Sequence, residues 1–277
     1  MINKTLFPIV IGFDLLQIYL YLPQHTALAN YFAVTLLVLW TLMQFGGPIL
    51  NKIEATVKII KTNFTKEPLL VSIGIVFAIL YIVELQVSIY IELLGNTVNL
   101  SWLFWLSNIL PLILIYSFIF LNKTYATAGL LSATLYESSW SIDFIGRTIF
   151  NDPPFGGIAD YMFQTYPFHF FVNLNHLFFI PLFLYGVIKM GVAKNAYLTC
   201  IKVGLIIMTA TWIFTKQEDN INCLYHSCLK FIPLNFSPIF NLLFLIIVPQ
   251  LLILAPLNWL LYTLYYRFKK PSSRHGS

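Results

Sequence analysis

The chain has 277 residues, 58% of them hydrophobic and only 10% charged, and carries a formal net charge of +5. A soluble globular domain carries about 25% charged residues, so this composition argues against a water-soluble enzyme and for a chain that meets lipid. The basic surplus falls in short stretches between apolar runs, where membrane proteins keep it, which argues against nucleic acid as its partner.

A membrane span needs about 20 mostly apolar residues. Eight such runs occur in chain order: 6–22, 31–50, 69–94, 100–121, 125–146, 168–188, 196–214 and 239–266. The first is short and interrupted by Asp14, and seven spans remain if it does not cross. The fold expected is therefore all-α, a polytopic transmembrane helix bundle occupying 1–277 as a single integral membrane domain. No cleavable signal peptide is expected from the N-terminal run, which contains Asp14 and lacks a small-residue cleavage site. With eight spans and a cytoplasmic N-terminus, twelve basic residues fall inside: Lys4, Lys52, Lys58, Lys61, Lys66, Lys123, Lys189, Lys194, Arg267, Lys269, Lys270 and Arg274. Arg147, Lys216 and Lys230 alone fall outside, a positive-inside bias that puts both termini in the cytoplasm.

Between the second and third runs, 51–68 is a basic, mixed-charge stretch expected as a cytoplasmic surface helix. Of the acids, Asp14, Glu84, Glu92, Glu137 and Asp143 lie inside apolar runs. Ionisable groups at that depth are costly unless paired or hydrated, so they turn towards the interior of a bundle.

The fifth run ends Tyr-Glu-Ser-Ser-Trp-Ser-Ile-Asp-Phe-Ile-Gly-Arg, residues 136–147. On a helix Glu137, Trp140, Phe144 and Arg147 share one face, and Asp143 stands four residues before Arg147, a pairing distance. This fits a carboxylate and guanidinium at the mouth of an outward-facing cavity, or an interfacial ion pair that closes the helix with Trp140 as its anchor. The next run opens with His169, Asn173 and His176 on one stripe, suited to metal ligation, to acid–base chemistry or to a hydrogen-bonded seam between helices. The turn-rich loop 151–167 joins the two, either as a re-entrant lid or as a plain connector. A later loop holds Asn220, Asn222, Cys223, His226 and Cys228. Four residues separate its cysteines, so a loop-closing disulfide is the expectation, with His226 a further candidate metal ligand beside His169 and His176. Cys200, in an apolar run, reads as a small buried residue.

Gly157-x-x-x-Tyr161-Met162-Phe163, His176 followed by Pro181, and Asn220-Ile221-Asn222 resemble the motifs of an uncharacterised family of bacterial polytopic membrane proteins. The resemblance covers about 125–225 and departs at Cys223, where that family carries Trp. It implies that Glu137, Asp143, His176, Asn220 and Asn222 belong to one shared feature of a protein of the bacterial inner membrane.

Three functions stay open at this point. One is an enzyme at the outer membrane surface acting on a lipid or lipid-linked substrate. There Glu137, Asp143 and His176 would be the catalytic groups, and Arg147, His169, Asn173, Asn220 and Asn222 would bind substrate. A second is a proton-coupled transporter in which Asp14, Glu84, Glu92, Glu137 and His176 form a relay. The third is a scaffold whose polar groups hold helices together. The expected partners are membrane lipid and a small-molecule or lipid ligand; no cofactor is specified.

Overall fold

The computed structural model describes residues 47–94, 101–155, 157, 159–160, 174–225 and 238–268. Two compact units divide the chain: Met1–Thr62 with Leu85–Val98, and Asn63–Glu84 with Asn99–Ser277. The described part of the first is helical. It comprises most of α1 (Gly47–Lys66) and the end of α2 (Pro68–Leu94).

The second unit holds the remainder of α2, then α3 (Leu106–Ile119), α4 (Lys123–Phe150), α5 (His176–Met190) and α6 (Ala196–Phe214). Its last helix is continuous: α7 (Pro238–Pro249) passes through a π turn, Gln250–Leu254, into α8 (Ala255–Phe268). Counting that run once, the described residues form seven helices.

The expected eight-span, or seven-span, bundle is overturned. Among the described residues only three helices are long and apolar enough to cross a membrane: Pro68–Gln86, Ala196–Phe214 and Ile247–Phe268. The run at 100–121 is divided by a 3-10 turn, Ser101–Phe104, and leaves α3 with 14 residues. At 1.5 Å per residue that is about 21 Å, well short of a hydrocarbon core of about 30 Å. The run at 168–188 yields α5, which begins only at His176 and has 15 residues, or about 22 Å. Helix α4 is long, with 28 residues, but Lys123, Glu137, Asp143 and Arg147 lie along it among many hydroxyl side chains. The runs at 6–22 and 31–46 lie outside the described residues, as do Asp14 and the positions after Phe268. With the eight crossings gone, the alternation that sorted twelve basic residues from three no longer follows, nor does the placing of both termini.

The short helices are apolar because they bury against protein. Leu110, Leu114 and Phe118 of α3 pack with Ala126, Leu130 and Ala133 of α4 and with Phe179, Phe183 and Val187 of α5. Gly129 permits this approach: a Cβ there would lie 2.1 Å from the Phe183 ring. The three candidate spans behave oppositely, burying only 17%, 22% and 17% of their apolar windows. Leu69, Val76, Ile79, Leu80 and Ile82 of α2 are exposed, as a lipid-facing helix requires.

Local chemistry sets the limits of α4. The Asn122 side chain caps its start by accepting from the N–H groups of Thr124 (3.0 Å) and Tyr125 (3.2 Å). Asn151, in the left-handed conformation with φ 55°, ends it. Buried amides anchor the last helix: Asn241 donates to the Leu224 carbonyl (3.0 Å), and Asn258 donates to the Ala193 carbonyl (2.9 Å).

Candidate functional site

Helix α4 turns Glu137 and Trp140 towards α5, whose first residue is His176. Nδ1 of His176 lies 2.5 Å from Oε2 of Glu137, and the two residues are 5% and 1% exposed. The Trp140 ring stacks on the imidazole with centroids 4.6 Å apart and planes 27° apart, and Phe179 meets it edge-on at 6.0 Å. A carboxylate in such an aromatic pocket would carry a desolvation cost of several kcal/mol if it had no partner. Contact with Nδ1 supplies one. Which of the two atoms carries the proton in this contact follows from the tautomer of the imidazole. Glu84 of α2 is half-buried.

Asp143 and Arg147, six and ten residues further along α4, take separate partners. Asp143 is fully buried, and its carboxylate accepts from the backbone N–H groups of Phe155 (2.8 Å) and Ala159 (3.3 Å). It ties down the loop that follows α4. Arg147 pairs through Nε with Asp160 Oδ1 at 3.4 Å and donates to the Asn151 side chain at 2.8 Å, at the protein surface. Gly157 serves the same loop: its φ is +87°, and a Cβ would lie 2.5 Å from Asp160 Oδ2.

Asn220 and Asn222 are left-handed, with φ 41° and 55°. Asn222 accepts from the Leu106 N–H (2.8 Å) and donates to the Phe104 carbonyl (2.6 Å) and the Thr211 hydroxyl (3.1 Å). Asn220 accepts from the Tyr225 N–H (3.0 Å). Both amides therefore hold backbone, and the Asn-Ile-Asn motif clamps the start of α3 to the end of α6. His169, Asn173, His226 and Cys228 lie outside the described residues, and so does the side chain of Cys223. Cys200 is buried, with its thiol directed at the Ala128 carbonyl (3.4 Å).

No family model matches the chain, and no curated protein or solved structure does either. The chemistry therefore rests on the residues themselves. Among the described residues no three His, Cys, Asp or Glu side chains converge as metal ligands. The hydroxyls that follow Glu137 in sequence are committed to backbone: Ser138 donates to the Thr134 carbonyl, and Ser139 donates to that of Tyr136 (3.1 Å).

Two features escaped the sequence reading. Trp140 is a stacking partner of His176, not only an interfacial anchor. Asn258 and Gln250, both buried, were passed over inside the last apolar run, although an isolated amide in such a run is itself a signal of an internal contact. Gln250 lines a cavity of about 20 Å³ with Ser132, Tyr136, Cys200 and apolar side chains of α3, room for about one water.

Proposed function

We propose that this is an integral membrane protein in which Glu137 and His176 take up and hand on protons, the working part of a proton-coupled carrier. The observation that carries the reading is the 2.5 Å contact between two buried ionisable side chains on different helices. Such a pair moves a proton between nitrogen and oxygen without bulk water. An acyl-transfer enzyme would need a hydroxyl or thiol held by the imidazole. Here the contact partner of His176 is a carboxylate, while Ser138 and Ser139 serve backbone carbonyls. The three candidate spans support membrane integration, and the resemblance over about 125–225 covers α4 to α6, which include both members of the pair. In this reading the membrane is the bacterial inner membrane.

The test is infrared difference spectroscopy of the full-length protein in liposomes, taken between alkaline and mildly acidic buffer. A buried carboxyl band that appears on acidification, and is lost in Glu137→Gln and displaced in His176→Ala, is the expected result. An acid-induced spectrum that is the same in wild type and Glu137→Gln overturns the proposal. Protein-dependent proton entry into the same liposomes, abolished by Glu137→Gln, extends the result from titration to transport.

A further inference from the structure

Helix α1 has a pattern that the proton chemistry does not use. Ile53, Val57 and Ile60 follow spacings of four and three, which puts them on one stripe. Ile53 and Val57 are 51% and 44% exposed, so this apolar stripe faces out from its own unit over most of its length. Lys52 flanks it on one side and Lys58 and Lys61 on the other, all exposed, against Glu54 alone within 52–61. Ile59 falls off the stripe and is also exposed. After Lys66 only Glu67 intervenes before Pro68 opens a candidate span, so the chain enters the membrane directly from this helix.

We infer that α1 is an interfacial helix that lies in the headgroup layer of an anionic bilayer. Ile53, Val57 and Ile60 dip into the acyl boundary there, and Lys52, Lys58 and Lys61 reach phosphate groups on either side. An apolar stripe flanked by lysines suits this position, because the lysine stems lie along apolar surface while their ammonium ends remain with the headgroups. The charge is complementary to anionic lipid, and the neighbouring span keeps the helix near such a surface at all times. The occupant is therefore lipid rather than a second copy of the chain.

The experiment is backbone hydrogen exchange across 47–62 in the full-length protein, reconstituted singly into nanodiscs of phosphatidylglycerol or of phosphatidylcholine. Exchange about tenfold slower in the anionic discs, with the difference erased by high salt, is expected from three surface lysines. The triple variant Lys52→Gln, Lys58→Gln, Lys61→Gln should remove the lipid difference. Equal exchange in the two lipids overturns the proposal. So does protection that is equal in both lipids and appears only when two copies share a disc, which would assign the stripe to self-association. The wild-type comparison needs no variant to fold, and its result is independent of whether Glu137 titrates.

Discussion

Two kinds of polar site in this protein differ in what their hydrogen-bonding capacity is used for. Around Asn222 and Asp143 the side chains serve backbone: Asn222 holds Phe104 and Leu106, and Asp143 holds Phe155 and Ala159. Around His176 the side chains serve each other, carboxylate to imidazole, with aromatic rings closing the space. In the first arrangement the side-chain oxygens are taken up by backbone N–H groups. In the second, two ionisable side chains are bonded to one another. Where a buried polar group's bonds go separates a backbone clamp from a side-chain pair better than burial or residue type does.

The comparison makes separable predictions for stability. Asn222→Ala has the largest expected effect, since the Leu106 N–H and Phe104 carbonyl lose their partner together. A loss of about 3 kcal/mol should appear as an earlier unfolding midpoint in detergent. Asp143→Asn should cost about 2 kcal/mol, because an amide keeps one acceptor where two N–H groups need one each. Protease cleavage within 152–160 should accelerate alongside, as the loop loses an anchor. Glu137→Gln should change stability least, by less than about 1 kcal/mol, since the amide preserves the side chain's shape and its hydrogen bond to the imidazole. If Glu137→Gln unfolds the protein as severely as Asn222→Ala, the pair is a clamp too and the distinction fails.

Much of the helical pattern was legible in the sequence. The run at 196–214 is α6, the run at 125–146 lies within α4, and the one at 69–94 differs from α2 by a single residue. The fate of the apolar runs was not legible, because a Phe that packs against another helix and one that faces lipid are the same letter. Phe118 and Phe183 are fully buried on helices too short to cross, whereas Ile79 and Leu80 are exposed on one long enough. Length was the usable signal, and the 3-10 turn at Ser101–Phe104 removed it from the run at 100–121. At the candidate site, helical spacing placed Glu137 and Trp140 on one face, and in the structure both meet His176. The spacing that put Arg147 within reach of Asp143 did not decide its partner, because the loop after Asn151 brings Asp160 and two backbone N–H groups to the same end of the helix.

The π turn between α7 and α8 has a consequence for the whole last helix. A π turn holds one residue more than an α turn, and one residue corresponds to about 100° of rotation. Asn241 and Asn258 sit on opposite sides of Gln250–Leu254, and each is bonded to a different carbonyl, that of Leu224 and that of Ala193. The extra residue is therefore a phase shifter that lets one continuous helix meet two fixed anchors whose directions a regular helix would not match. Deleting it would swing one amide by more than a quarter turn while the other stayed in place. Length variation between these two asparagines should thus be poorly tolerated.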